Sequence, residues 1–169
     1  MLTGPPGAGK STVAQALADG FEVSALVAGD DFFGCLRGGL IPPWLPQAHE
    51  QNTVVIQAAA AAAGRLAAGF PVVYDGVVGP WFLAEFLAAT GLRQLHYAVL
   101  LPSLQRCLAR VGSRTGHGFT DQDAARQLHQ QFADTPIPSR QLIAEPSDDP
   151  SDTAALVRAR LADGALSYP

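Results

Sequence analysis

The sequence predicts an α/β fold in which a parallel β-sheet carries helices on both of its faces. Apolar runs alternate with helical segments along the 169 residues, and parallel strands joined by crossover helices produce this alternation. The segment Gly4–Ser11 reads Gly-Pro-Pro-Gly-Ala-Gly-Lys-Ser and matches G-x-x-x-x-G-K-S/T, a motif that connects a strand to a helix. With this length and 48% hydrophobic residues, residues 1–169 are expected to form a single domain.

The first half of the chain is expected to supply three strands and three helices. Three residues, Met1–Thr3, precede the glycine-rich motif, so the first strand should be short for a central strand. Gly20 should end the first helix, Gly69 a long alanine-rich helix, and Pro80 should begin the third helix, where proline is favoured. Residues 32–46, which are rich in glycine and proline, are predicted to be mostly loop. The further strands are placed at about 23–27 and 71–74. The helices are placed at about 11–18, from 46 or 49 to 68, and at about 80–89.

The second half is expected to supply two strands and three helices. Ser103, Thr120 and Asp152 are the expected N-caps, and Thr120 with Asp123 three residues later resembles a capping box. The strands are placed at about 95–101 and, more weakly, 141–144, and the helices at about 104–111, 120–132 and 153–162. Because ligands of such sheets bind at the carboxyl ends of the strands, the residues that follow each strand are the candidates for a site.

The glycine-rich motif predicts a bound nucleoside triphosphate. Its glycines let backbone N–H groups turn inward around phosphate oxygens, and the next helix directs its positive end at the same anion. Lys10 would contribute a positive charge to the terminal phosphates, and the Ser11 hydroxyl would ligate Mg²⁺. The alternative is a glycine-rich turn that fits the pattern by chance, which the strand-to-helix context disfavours.

Composition and charge narrow the class of acceptor and the compartment. The formal net charge is −4 with 11 Lys and Arg, and no basic run is present, so nucleic acid is an unlikely partner and a small acceptor fits better. Cys35 and Cys107 form no CxxC pair and are expected to be free thiols in a reducing compartment. No signal peptide precedes the motif and no apolar stretch reaches membrane-spanning length. We therefore expect a cytoplasmic protein without a membrane partner.

Acidic and basic side chains follow the predicted strands. A carboxylate there can orient an acceptor hydroxyl and take its proton, a second carboxylate can hold Mg²⁺ through water, and arginines can neutralise a moving phosphoryl group. The residues in these positions are Asp30, Asp31, Asp75, Arg106, Arg110 and Arg114. The sequence therefore predicts a phosphoryl-transfer site at this edge of the sheet.

These residues resemble the small P-loop kinases, a group that includes shikimate and gluconate kinases, chloramphenicol phosphotransferase and the kinase domain of polynucleotide kinase. The resemblance is carried by Gly4–Ser11, by Gly29–Phe32, by Tyr74-Asp75 and by the arginines at positions 110 and 114. It implies the three-layer P-loop NTPase fold, with a five-stranded parallel sheet in the order 2-3-1-4-5. It also implies a short lid over ATP, here at about residues 111–132.

The resemblance also implies roles for single residues. Asp30 would be the base that activates the acceptor, with Asp31 as the neighbouring candidate, and Asp75 would hold the metal together with Ser11. Lys10 and Arg114, the latter in the lid, would complete the catalytic set. The residues implied to bind ATP are Gly4, Pro5, Pro6, Gly7, Ala8, Gly9, Lys10, Ser11, Thr12, Arg110 and Arg114. The competing interpretations are a solvated helix cap for the acid pair, an Asp-Gly turn for Asp75, an exposed charge for Arg114 and a surface ion pair for Arg106.

The acceptor is expected between the ends of strands two and three, where aromatic residues are concentrated. Such side chains can form an apolar wall for a partly hydrophobic alcohol or a ring, although Phe33 and Phe82 equally suit the core. The residues expected to contact the acceptor are Asp30, Asp31, Phe33, Arg37, Trp44 and Trp81. His117, which glycines flank in the lid, is more simply interpreted as a surface histidine.

Together these features predict an ATP-dependent kinase of a small hydroxylated molecule, such as an antibiotic, a secondary metabolite or a sugar-like alcohol, with ATP and Mg²⁺ as cofactors. One alternative is a kinase that acts on a nucleotide, a nucleotide-sugar or the 5′-hydroxyl of a polynucleotide. The other is a regulatory nucleotide-binding protein with little turnover.

Overall fold

The computed structural model describes residues 1–113 and 120–169, and its centre is a five-stranded parallel sheet. The strands are β1 (Leu2–Thr3), β2 (Ala25–Ala28), β3 (Val72–Asp75), β4 (Ala98–Leu100) and β5 (Leu142–Ile143). Their order across the sheet is β2-β3-β1-β4-β5, and every neighbouring pair is parallel. The predicted fold class and strand order are therefore confirmed, and the central strand is short as expected.

In the described part of the chain, six α-helices and two 3₁₀ turns accompany these strands. The helices are α1 (Lys10–Ala18), α2 (His49–Ala67), α3 (Pro80–Thr90), α4 (Leu104–Gly112), α5 (Gln122–Asp134) and α6 (Pro150–Ala162). The 3₁₀ turns are Gly29–Cys35 and Pro46–Ala48, which overlap the two ends of the predicted loop. Among the described residues, no helix combines the length and apolarity that crossing a membrane requires.

The hydrophobic core lies in two layers, one on each face of the sheet. On one face, α1 and α6 pack on the strands through Leu17 and Val157, which are both buried. On the other face, α2 and α3 contribute Ile56 and Phe86 to a second cluster, and Phe132 of α5 belongs to a third. Burial of these apolar side chains supplies most of the drive to fold. The two layers leave the carboxyl ends of the strands at a common edge.

The predicted strand 95–101 is wrong as one continuous element. Leu95–His96 pairs antiparallel with Ser167–Tyr168 in a separate two-stranded ribbon, and only β4 joins the central sheet. Tyr97 lies between the two parts and is 1% exposed. Its backbone N–H donates to the Leu166 carbonyl at 2.8 Å, and its hydroxyl donates to the Val78 carbonyl at 3.0 Å. These two hydrogen bonds fix the backbone where the chain leaves the two-stranded ribbon and enters the central sheet.

Two predicted caps are also wrong. Asp121, not Thr120, caps α5, because its Oδ1 accepts from two backbone N–H groups at 3.0 Å each. Asp149, not Asp152, caps α6 and accepts from the Ser151 N–H at 2.8 Å. Proline at position 150 favours this earlier start, since its ring suits the first turn of a helix. The cap of α4 by Ser103 is confirmed.

β2 begins later than predicted, because Ala25 is the first residue whose backbone pairs with β3. Its N–H donates to the Pro71 carbonyl at 2.9 Å, whereas Val23 is 57% exposed. The glycine-rich part of the predicted lid, including Arg114 and His117, lies outside the described residues.

Candidate active site

The glycine-rich motif forms a buried loop between β1 and α1 that lies directly against α4. Gly7 has φ +80°, and a Cβ atom there would lie 2.3 Å from the backbone carbonyl oxygen of Cys107. A Cβ atom at Gly4 would lie 2.1 Å from the carbonyl oxygen of Leu100 in β4. Only glycine fits at such distances, so these two residues set how closely the loop approaches the next strand and helix.

Lys10 is the first residue of α1 and is 8% exposed. Its Nζ donates to the carbonyl of Pro5 at 3.2 Å, so the ammonium lies over the loop that should hold phosphate. Ser11 and Thr12 follow in the first turn and are exposed. The positive end of α1, the Lys10 ammonium and the exposed Ser11 therefore lie together beside the loop, which suits an anion and its Mg²⁺ counterion.

The acidic residues lie beside the loop because of the strand register. Asp75 ends β3 and stands opposite both Ala28 of β2 and Leu2 of β1, and it is 9% exposed. Asp30 follows β2 by two residues in a 3₁₀ turn and is exposed, as is Asp31. The carboxyl ends of three adjacent strands therefore bring these acids to the same edge as the phosphate loop.

Tyr74 provides an electrostatic probe of this edge. Its pKa is raised above the ordinary value, first by burial and then by the negative charges of Asp30 and Asp75. Its hydroxyl also fills the space beside Gly29, where a Cβ atom would lie 2.1 Å away. Both carboxylates therefore lie near enough to the Tyr74 phenol to affect its ionisation. This position of Tyr74 near the two acids was not predicted from the sequence, although Tyr74 precedes Asp75 directly.

Two arginines of α4 connect the phosphate loop to the segment after β5. Arg110 Nη1 donates to the carbonyl of Ala8 at 3.5 Å, and its Nη2 donates to Asp148 Oδ1 at 3.4 Å. Arg106 pairs with the same Asp148 oxygen, and its Nη1 donates to the Pro146 carbonyl at 2.8 Å. The structure thus brings Arg110 to the loop, and Arg106 has the acidic partner that a surface pair requires. Asp148 was not identified from the sequence.

The long loop before α2, which contains the predicted acceptor residues Arg37 and Trp44, is held by side chains of that helix. The Gln51 amide accepts from the Ile41 N–H at 2.9 Å and donates to the Ile41 carbonyl at 2.8 Å. Asn52 Nδ2 donates to the Pro43 carbonyl at 2.6 Å. Trp44, next along the loop, is half-buried. These polar residues at the start of α2 are the signal from which the anchoring could have been inferred.

The remaining predicted acceptor residues lie in different environments. Phe33 is half-buried within the 3₁₀ turn, and Arg37 is exposed in the loop beyond it. Trp81, in the first turn of α3, is 36% exposed and packs on Phe132 of α5, with ring centroids 5.1 Å apart. Trp81 therefore has a structural contact with α5 in addition to its exposed surface.

Comparison with known proteins places this site in a family. A family model described as an AAA domain matches residues 1–136. No curated protein sequence shows a significant match to the chain.

Solved structures share the fold at low sequence identity. A sugar kinase from Janibacter sp. HTCC2649 has a TM-score of 0.67 and 17% identity, over 95% of this chain and 92% of that one. A gluconokinase from Sinorhizobium meliloti 1021 has a TM-score of 0.63 and 22% identity, over 96% and 92%. The tunicamycin resistance protein of Deinococcus radiodurans has a TM-score of 0.60 and 19% identity, over 95% and 92%. The chain belongs to the AAA domain family, and its fold is that of the small P-loop kinases.

Proposed function

We propose that this protein is an ATP-dependent phosphotransferase that moves the γ-phosphoryl group to a hydroxyl group of a small molecule. The observation that carries the proposal is the meeting of a complete phosphate loop with two acids at the carboxyl ends of adjacent strands. The negative charges of Asp30 and Asp75 both raise the pKa of the Tyr74 phenol, and Asp75 stands opposite Leu2, two residues before the loop. The names of the similar structures, a gluconokinase and a sugar kinase among them, support an alcohol as acceptor.

In this mechanism the acceptor hydroxyl attacks the γ-phosphorus as the bond to the bridging oxygen of ADP breaks. Asp30, an exposed carboxylate in the 3₁₀ turn after β2, accepts the hydroxyl proton. Lys10 exchanges its contact with the Pro5 carbonyl for a phosphate oxygen. Arg110 and Arg114 neutralise charge on the transferred group.

Mg²⁺ would be held by the Ser11 hydroxyl and by Asp75, with phosphate oxygens and water as the other ligands. Among residues 1–113 and 120–169, no group of three His, Cys, Asp or Glu side chains could hold a metal by itself. Mg²⁺ usually takes one or two protein ligands and depends on substrate phosphates and water for the rest, and Ser11 and Asp75 offer oxygen atoms, the ligands it prefers. The ion would neutralise phosphate charge and orient the triphosphate.

The proposed acceptor is a hydroxylated molecule with an apolar part, such as an antibiotic, a secondary metabolite or a sugar-like alcohol. Phe33 is half-buried in the 3₁₀ turn after β2, Trp44 is half-buried in the loop before α2, and Trp81 is 36% exposed at the start of α3. Aromatic faces of this kind bind rings and aliphatic surfaces. The resistance protein among the similar structures supports an antibiotic within this class.

The test is a screen for ATP consumption across sugars, sugar acids, antibiotics and nucleosides, followed by Asp30→Asn with the acceptor that responds. We expect Asp30→Asn to lower turnover at least about 100-fold, the usual scale of general-base catalysis, and to leave ATP affinity unchanged. Asp31→Asn is the matched control and should retain turnover. If Asp31→Asn loses turnover and Asp30→Asn keeps it, the base has been assigned to the wrong acid.

The screen also separates the other candidate functions. Transfer confined to nucleotides, nucleotide-sugars or 5′-hydroxyl oligonucleotides would replace the proposed acceptor class while it preserves the chemistry. Tight ATP binding without transfer to any acceptor would favour a regulatory nucleotide-binding protein and would overturn the proposal of catalysis.

A further inference from the structure

One carboxylate, that of Asp148, lies between the phosphate loop and the segment that follows β5. Its Oδ1 accepts hydrogen bonds from Arg106 and from Arg110, which are one helical turn apart on α4. Arg110 meanwhile reaches the phosphate loop at the Ala8 carbonyl, and its Nη1 would lie 3.1 Å from a Cβ atom at Gly9. The guanidinium of Arg110 is therefore shared between the loop and an acid.

The two arginines differ in the lengths of their hydrogen bonds. Arg106 has a second bond, 2.8 Å long, to the Pro146 carbonyl, and its side chain is 25% exposed. Within residues 1–113 and 120–169, Arg110 has longer contacts, at 3.4 Å to Asp148 and 3.5 Å to Ala8, and its side chain is 34% exposed. Asp148 itself is 92% exposed, so water screens its ion pairs and each is weak. The contact between Arg110 and Asp148 is thus the one that another anion can replace.

We propose that Asp148 is an internal counter-anion of the nucleotide site, which holds Arg110 until a nucleotide phosphate displaces it. A phosphate oxygen on the loop offers Arg110 a more highly charged partner than a screened carboxylate does, and it forms shorter, stronger hydrogen bonds. Asp148 keeps its pair with Arg106 after Arg110 transfers, so the segment after β5 stays joined to α4. Asp148 is in this sense a residue that sets affinity and positions Arg110, and it takes no part in the transfer itself.

The inference rests on the proposed function only in so far as a nucleotide phosphate binds the loop. Its consequence is that Asp148 lowers the affinity for phosphate-bearing ligands, because they must compete with it for Arg110. Removing its charge should tighten ATP and ADP binding by about two- to fivefold, the range that an exposed ion pair supplies. Adenosine carries no phosphate, so its affinity should not change.

The experiment is calorimetric titration of the full chain with ATP, ADP and adenosine. We expect Asp148→Asn to bind ATP and ADP more tightly and adenosine as the wild type does, whereas Asp148→Glu, which keeps the charge, should restore the lower affinity. Glu145→Gln is the matched control, since Glu145 is an exposed acid in the same loop and its removal should leave ATP affinity unchanged.

A double-variant cycle identifies the arginine concerned. In an Arg110→Ala background, Asp148→Asn should no longer tighten ATP binding, because the group for which the two anions compete is absent. Equal tightening in both backgrounds would mean that Asp148 merely repels the nucleotide, and unchanged or weaker binding by Asp148→Asn would mean that it is not a competitor. Either result overturns the inference.

The same data separate this inference from the proposed catalysis. If ATP binding responds as expected and no alcohol is phosphorylated, the proposed transfer fails and the role of Asp148 stands. If the wild type binds neither ATP nor ADP, both proposals are overturned.

Discussion

Replacing Gly7 by alanine tests whether the phosphate loop depends on its close contact with α4. The residue has φ +80°, a conformation that L side chains rarely adopt, and the added Cβ atom would lie 2.3 Å from the Cys107 carbonyl oxygen and 2.9 Å from its carbon. Two costs therefore add. The backbone conformation costs an alanine about 1–2 kcal/mol, and relief of the overlap, which requires the loop or α4 to move, costs about 1–3 kcal/mol.

We therefore expect Gly7→Ala to lower the free energy of unfolding by about 2–5 kcal/mol. For a domain of this size that corresponds to a fall in Tm of roughly 4–20 °C. The displaced loop should also lose most of its ATP affinity, since its N–H groups would no longer converge on the phosphates. Urea denaturation and calorimetric ATP titration measure the two effects.

Two glycines outside the phosphate loop separate the contributions. Gly39 has φ +70° and no heavy atom of the described residues within 4 Å of its added Cβ atom, so Gly39→Ala should show the backbone cost alone. Gly38 has neither a left-handed φ nor such a neighbour, and Gly38→Ala should change stability by less than about 0.5 kcal/mol. If Gly7→Ala were as stable as Gly39→Ala and bound ATP normally, the contact with Cys107 would not constrain the loop.

Two further predictions follow from burial. Cys35 is exposed, whereas Cys107 is buried and burial raises the pKa of its thiol. Iodoacetamide at neutral pH should therefore modify Cys35 alone, which mass spectrometry of the peptides would show. Rapid modification of Cys107 in the native protein would contradict the packing. Burial also raises the pKa of Tyr97 above its ordinary value, so the folded state retains a proton that the unfolded state loses above about pH 10. The free energy of unfolding should therefore fall as pH rises beyond about 10, and it should fall less steeply in Tyr97→Phe. Urea denaturation at a series of pH values measures this, and an equal pH dependence in the two proteins would refute that cause.

The sheet was predictable because its determinants are local. Each strand is a short apolar run, and each crossover is a helix whose length and breakers are visible in the neighbouring residues. The division of the fourth strand was not predictable, because it depends on the pairing of Tyr97 with Leu166, which is far away in the sequence. A continuous apolar pattern gives no sign that its two halves will find different partners.

The misplaced caps have another physical cause. Two competent side chains stand close together at each helix start, Thr120 beside Asp121 and Asp149 near Asp152. Their intrinsic capping preferences differ by less than the energy of a single packing contact. For α5 the choice depends on how the preceding chain approaches the helix, which only the folded structure shows. For α6 the proline at position 150 was a local signal for the earlier start.

Parts of the candidate site also differ in how well the sequence predicts them. The phosphate loop can be recognised in the sequence because its function needs particular residue types, a glycine where the Cys107 carbonyl approaches Gly7 and an ammonium group at Lys10. The loop before α2, in contrast, is held through backbone groups, with Gln51 and Asn52 bonded to main-chain atoms of residues 41 and 43. Backbone anchoring tolerates many side chains in the loop itself, so the loop sequence can vary without a change in its attachment. That tolerance explains why residue types identify the glycine-rich motif, whereas they do not mark the loop before α2 as part of a site.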